Sequence, residues 1–275
     1  MKLAVAYSVF SGCELLPYSI KQIRENVDWI VVSYSEQDWW GKSKISPYDL
    51  DILKDLKKQK LIDELLCFPI KLFANNSREA KNTEIEKRNY LRTHCYNRGY
   101  DHFLMLDVDE LFETDQFIKA KNFIEETKYQ YSYCRLIEYH KLPIYQNTQV
   151  SRIHIPFICK LDPKKKLGTN SLKNVFIDPT RGYNIDRHNP HWIFKPEDLL
   201  MHHMTTVRRD LQLKYRSTSQ TVLDRSHDSI INITGNINAI CDKNLKLFHV
   251  PVPGINHVVN VKIVDNLFNI DYNGW

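Results

Sequence analysis

Short apolar runs alternate with amphipathic, charge-rich stretches through the first 110 residues, and this alternation predicts βαβ units around a mostly parallel sheet. Leu3 to Val9 and Trp29 to Tyr34 (WIVVSY) are short and strongly apolar, as strands buried on both faces must be. Between them Leu16, Ile20 and Ile23 fall at helical spacing, which predicts a helix from about Cys13 to Asn26 with Glu14 near its positive end. Residues 48 to 60 read as a second helix and Leu65 to Ile70 as a third strand. Helix formers and charge dominate from Arg78 to Arg98, and Gly99 follows as a C-terminal cap, so a long helix is expected there. It leads into a fourth buried strand, Phe103 to Leu106, which ends in acid: Asp107, Asp109 and Glu110.

Past about residue 130 the pattern turns to β and loop. YSYCRLIEY, TQVSRIHIPFICKL and SLKNVFI read as strands, and a loop rich in Pro, His and Asn spans roughly 178 to 198. MHHMTTVRRDLQLKYRST reads as a strand end feeding a helix, after which the pattern is less legible. The expected organisation is one domain over 1–219, with halves 1–112 and 113–219, followed by a C-terminal extension over 220–275.

Composition narrows the class without naming a chemistry. With 43% hydrophobic and 26% charged residues the chain has the make-up of a soluble globular protein, and 8 glycines argue against long flexible linkers. A net charge of +5 and a pI near 8.7 suit a phosphate-bearing substrate but do not single out nucleic acid. The six cysteines lie far apart with no C-x-x-C pair, which reads as free thiols in a reducing compartment. Polar residues follow the first apolar run too soon for a signal peptide, and no stretch approaches the ~18 apolar residues of a membrane span. A cytoplasmic location is the expectation.

Ligands in open α/β sheets gather outside the carboxyl ends of strands, so Asp107-Val108-Asp109-Glu110 stands where chemistry is expected. Side chains at i and i+2 of an extended segment point the same way, which would set Asp107 and Asp109 on one side around a hard cation. Mg²⁺ or Mn²⁺ takes one or two protein carboxylates while a nucleotide's phosphates complete the shell. The blander reading is an acidic strand end that caps a neighbouring helix.

The stretch EIEKRNYLRTHCYNRGYDHFLMLDVDELF, with Lys-Arg-Asn in the helix and D-x-D-E after the strand, resembles the core of GT-A glycosyltransferases, family-two-like and family-ninety-two-like enzymes in particular. MHHMTTVRRDLQLKY is similar to the closing segment of such enzymes. The resemblance covers the first 110 residues or so and residues 200 to 216, and leaves the middle uncovered. It implies an α/β, Rossmann-like GT-A fold with a mixed, mostly parallel sheet flanked by helices. It also implies a metal-dependent hexosyltransferase-type reaction, from a nucleotide-diphosphate sugar, a UDP-sugar foremost, to a hydroxyl acceptor such as a glycan.

Carried over residue by residue, the resemblance implies Asp109 as a direct metal ligand and Asp107 as a contact to the ribose or to the metal through water. His203 would be the late metal ligand with His202 competing, and imidazole tilts the preference toward manganese. Tyr7 and Tyr34 would line the base and ribose pocket. Arg88 would bind the diphosphate or base, with Lys87 its rival, and Arg208 and Lys214 would neutralise the diphosphate as it leaves. An inverting enzyme also needs a carboxylate base. Glu197 and Asp198 are the candidates, with Asp186 and Glu138 behind them. In GYNIDRHNPHWIF, Tyr183, His188, His191 and Trp192 offer aromatic and polar faces for an acceptor. The run PKKK (163–166) reads as a solvated turn or a phosphate contact.

Three other readings stand beside this one. The same donor chemistry on hydroxymethylated bases of phage DNA is a close variant. A metal-dependent phosphoesterase would need more ligands than the sequence offers, and a binding module without catalysis can share the fold. Inverting or retaining outcome and oligomeric state are not legible.

Overall fold

The computed structural model describes the chain apart from residues 169–171, 173–174, 186–188, 220–226, 241–243, 249–257 and 274–275. Strand β1 (Leu3–Val9) is buried along almost its whole length. It is followed by α1 (Leu16–Ile23), β2 (Trp29–Tyr34), α2 (Pro47–Lys58), β3 (Glu64–Cys67), α3 (Ser77–Asn97) and β4 (His102–Asp107). β1, β2, β3 and β4 are parallel in the order β3-β2-β1-β4, and a short later strand joins antiparallel to β4. The mixed α/β class with a mostly parallel sheet between helices, expected from the alternating pattern, is what forms.

Local chemistry explains where the expected boundaries shift. The single helix expected over Cys13–Asn26 is broken into a 3₁₀ turn (Cys13–Leu15), α1, and a second 3₁₀ turn (Arg24–Asn26). Pro17 in the first turn of α1 lacks an amide hydrogen and favours a helix start at that point. β3 ends at Cys67, two residues before Pro69, which cannot donate to a ladder. α3 is capped at its start by Asn76, whose side chain accepts from the Glu79 amide, and it ends before Gly99 at φ +85°, the left-handed position that glycine fills without strain.

The chain then crosses into a second sheet. β5 (Glu110–Phe112), α4 (Thr114–Thr127) and β6 (Tyr131–Glu138) precede three short strands: β7 (Tyr145–Asn147), β8 (His154–Pro156) and β9 (Cys159–Lys160). The long strand expected over 148–161 is thus divided, with β8 on β6 and β9 on β4. Most of SLKNVFI lies outside the described residues, and Ile177 bridges to His154. β10 (His191–Ile193) and β11 (Leu200–His203) both run parallel to β6, and β11 pairs antiparallel with β5. α5 (Leu211–Ser217) and α6 (His227–Asn238) follow, then β12 (Lys246–Phe248) and β13 (Val258–Ile263).

Residues after 226 are tied into the body at several points. Ile233 and Ile237 of α6 share a buried cluster with Leu211 and Tyr145, β13 pairs with β7, and Phe268 and Ile270 pack with Leu15 and Met204. Among the described residues Cys13, Cys67, Cys95, Cys134 and Cys159 are free thiols, and no helix is long and apolar enough to cross a membrane.

Candidate active site

β4 belongs to the first sheet and β5 to the second, and Val108–Asp109 is the turn between them. The alternation rule for extended chain therefore fails at this point, and the two aspartates face different partners. Val108 is buried and anchors the turn.

Asp107, at the carboxyl end of β4, enters a lattice of arginines. Its Oδ2 accepts from Arg88 Nη2 at 3.0 Å and from Arg181 Nη2 at 3.2 Å. Arg181 also grips both oxygens of Glu110, which is 0% exposed, and donates from Nε to Asp178 at 3.1 Å. Glu110 in turn accepts the Asp107 amide at 2.8 Å, while Glu84 holds Arg88 from one helical turn away at 2.7 Å. Burial disfavours the Asp107 carboxylate, but Arg88 and Arg181 outweigh it and hold its pKa below the usual range. Asp178 is pulled down to about 2, with burial opposing and Arg181 and Arg88 dominating.

Asp109 is only 4% exposed and meets a different set. Its Oδ2 accepts from Arg208 and, at 3.0 Å, from Lys214 of α5, and its Oδ1 lies 3.6 Å from His203 Nε2. Despite burial, Lys214, Arg208 and His203 hold Asp109 well below the ordinary carboxylate pKa. Burial opposes the His203 imidazolium, but Asp109 raises its pKa overall. One carboxylate thus sits among a guanidinium, an ammonium whose pKa burial and Arg208 pull down against the pull of Asp109, and an imidazole, so basic groups outnumber the acid at this corner.

Backbone geometry builds the corner. Gly12, φ +80°, lies against Arg208 so closely that an added Cβ would stand 3.0 Å from Nη1 and 3.2 Å from Cζ. Glu14 accepts the Arg209 amide at 2.9 Å, tying the segment before α5 to the loop after β1. Among the described residues Arg88 Nη1 and Arg208 Nε are buried N–H groups with no hydrogen-bond partner. Buried donors of this kind are rare in folded proteins, and two on guanidiniums that hold Asp107 and Asp109 point to an acceptor that is an anion.

The protein groups do not fit the divalent cation implied by the D-x-D resemblance. Asp107 Oδ2 is shared by two guanidiniums and Asp109 Oδ2 by a guanidinium and an ammonium. A divalent ion at Asp109 would face Arg208 and Lys214 within a few ångströms in a buried setting, where like charges repel strongly. Among the described residues no group of three or more His, Cys, Asp or Glu side chains is placed to hold a metal ion.

The other expected residues fall in several places. His203 faces Asp109, whereas strand alternation turns His202 to the opposite face. There His202 is buried, with Nδ1 2.8 Å from the Tyr139 hydroxyl and Nε2 3.3 Å from Glu113, and packs edge-on to Phe268. Lys87 is 0% exposed and donates to the Val9 carbonyl at 2.6 Å beneath the Trp39 ring. Burial first, and Arg88 second, push its pKa down to about 7. Tyr7 is fully buried with its hydroxyl on Ser19, and Tyr34 is half-buried at the end of β2. Tyr183 is buried against Tyr131.

Glu197 and Asp198 are exposed in the turn before β11, whereas His203 closes that strand, so roughly 3.3 Å per residue separates them from the corner. His191 and Trp192 pair with the start of β6, and Trp192 packs on Phe123, Tyr129 and Phe194, away from the acids. Asp186 and His188 lie outside the described residues. Glu138 pairs in register with His203 and accepts from Asn147 at 2.9 Å.

The sequence pattern passes over Arg181, Asp178, Glu84 and Gly12. Arg181 has one signal, the D-x-x-R-G turn beginning at Asp178, in a segment without periodicity. Trp40 is also missed. It lines a cleft of about 730 Å³ with Lys42, Ser43, Phe73, Asn75 and Arg216. A relay of hydrogen bonds links its wall to the arginine lattice: Trp40 Nε1 donates to the Thr218 carbonyl, and the next residue, Ser219, bonds Glu84, the partner of Arg88.

No protein-family model matches this chain, and no curated protein matches it. Among solved structures, S. aureus TarS shares 9% identity over 89% of this chain and 45% of that one, with a TM-score of 0.44. TarS 1–349 in complex with UDP shares 12% over 50% of this chain and 36% of that one, at TM-score 0.36. Mannose-1-phosphate geranyltransferase from Thermus thermophilus shares 9% over 59% and 51%, at TM-score 0.30. This chain spans about half or less of each, and likeness of this degree says nothing about activity.

Proposed function

We propose that this chain is a glycosyltransferase that binds a nucleotide-diphosphate sugar at the Asp109 corner and moves the sugar to a hydroxyl acceptor. The observation that carries the reading is the pair of buried guanidinium N–H groups on Arg88 and Arg208, unpartnered among the described residues, at the carboxyl end of a mostly parallel sheet. A diphosphate supplies the acceptor oxygens they lack. The choice of a UDP-sugar as donor follows the sequence resemblance.

In the reaction the bond between the sugar's anomeric carbon and the phosphate oxygen breaks, and its electron pair stays on that oxygen. The acceptor oxygen bonds to the carbon and gives up its proton. Arg208 and Lys214 meet the charge that grows on the departing diphosphate, and charge stabilisation held in place beforehand is commonly the largest contribution to such a step. Asp109 and the Gly12 loop hold Arg208 in position. Glu138, beside His203 in the sheet register, is the carboxylate set to take the acceptor proton in an inverting reaction. The cleft at Trp40, about 730 Å³, has the volume for a glycan acceptor. A hydroxymethylated DNA base would use the same donor chemistry and would show salt-dependent duplex binding.

A thermal-shift screen of UDP-, GDP- and dTDP-sugars tests the reading. A ligand that binds the folded form raises its stability by mass action, so one donor series should raise the midpoint, and Arg208→Ala should abolish the rise. Absence of any shift across millimolar nucleotide-sugars would overturn the proposal.

A further inference from the structure

We infer that the cations serving the donor's diphosphate are Arg208, Lys214 and His203, and that this chain binds the nucleotide without a divalent metal. The inference rests on the reading of a nucleotide-sugar site and reassigns the role of its D-x-D acids.

Three observations support it. First, one oxygen of each aspartate is already held by two cations, Asp109 Oδ2 by Arg208 and Lys214 and Asp107 Oδ2 by Arg88 and Arg181, and both Glu110 oxygens are held by Arg181, so a metal on the remaining aspartate oxygens would stand against fixed positive charge. Second, these are built contacts. Arg208 is buried against Gly12, whose lack of a side chain leaves room for the guanidinium, and Lys214 is fastened to the Thr205 carbonyl as well as to Asp109. Third, donors remain after those contacts are made. Arg208 keeps its unpartnered Nε–H among the described residues, and an ammonium has three hydrogens, of which Lys214 uses two on protein oxygens.

The roles therefore divide in a way the motif alone does not suggest. Asp109 aligns the cations, and the cations do the work a metal would do: they neutralise the diphosphate and take the charge that appears on the leaving oxygen. Asp107 and Glu110 fix Arg88 and Arg181 behind them.

Calorimetric titration of the full chain with UDP, in EDTA and again in millimolar Mn²⁺, tests the inference together with equilibrium dialysis of Mn²⁺ in the presence of UDP. The expected result is a dissociation constant that agrees within about threefold in the two buffers, no protein-bound Mn²⁺ beyond that carried by free UDP, and at least tenfold weaker binding in Lys214→Ala in EDTA. UDP binding that appears only with Mn²⁺, or a tenfold gain on adding it, overturns the inference and leaves the glycosyltransferase reading standing. No UDP binding in either buffer overturns both for a uridine donor.

Discussion

Asp107 and Asp109 are two residues apart and identical in type, yet their surroundings give them different roles. Asp107 belongs to a lattice in which the acids Glu84, Asp107, Glu110 and Asp178 outnumber the arginines Arg88 and Arg181, and the arginines spend most of their donors on the acids, with Arg88 Nη1 left over among the described residues. Asp109 is outnumbered by Arg208, Lys214 and His203. The first arrangement is a scaffold, and the second presents cations. The lesson is that a D-x-D motif specifies two carboxylates, while their partners decide whether those carboxylates attract a cation or support one already present.

The largest effect expected on this contrast comes from the scaffold side. Arg181→Ala strands Glu110 at full burial and should cost about 3–5 kcal/mol, measured by urea unfolding. Arg208→Ala, one of several cations on Asp109, should cost less stability and more UDP affinity. If the two variants lose stability equally, the division of roles fails. Acid probes the same side. The folded-state pKa of Asp178 lies near 2, below its ordinary 3.8, so its contribution is present above about pH 4 and lost as pH falls through about 2. Unfolding midpoints measured between pH 5 and 2 should show that loss, and Asp178→Asn should flatten it.

On the binding side, Lys214→Ala should weaken UDP tenfold to a hundredfold while moving the unfolding free energy by less than about 1 kcal/mol, since its side chain is partly exposed and Arg208 still neutralises Asp109. His203 sharpens the comparison more gently. Its pKa is raised, so the imidazolium is present below that value and lost as pH rises through it, and UDP affinity should fall about two- to fivefold across the transition. His203→Gln should remove the pH dependence, whereas His202→Gln should lower stability and leave the affinity profile unchanged. The smallest effect is expected from Gly12→Ala, at about 1 kcal/mol for a side chain placed at positive φ. A slight loss of UDP affinity should accompany it as Arg208 is displaced.

Much of the first sheet was legible because parallel strands buried on both faces leave unmistakable apolar runs, as Leu3–Val9, Trp29–Tyr34 and Phe103–Leu106 do. The breaks at Pro17 and Pro69 moved boundaries by a few residues only. The second sheet was harder to read, since β8, β9 and β10 are two or three residues long and carry no periodicity to detect. At the candidate site, position after β4 pointed to Asp107 and Asp109, and strand alternation separates His203 from His202 once β11 is placed. Arg181 could not have been found in this way. It reaches the acids across 71 residues of chain from an irregular loop, and only the folded backbone brings it there.

The turn at Val108–Asp109 also limits how the corner can be entered. Two residues span at most about 7 Å, so the first and second sheets are stitched together beside the proposed binding position with almost no slack. At that point the two sheets can separate by no more than that span. Side chains at the rim, such as Lys214 with its 21% exposed side chain, therefore have more freedom to adjust to a ligand than the backbone between the sheets.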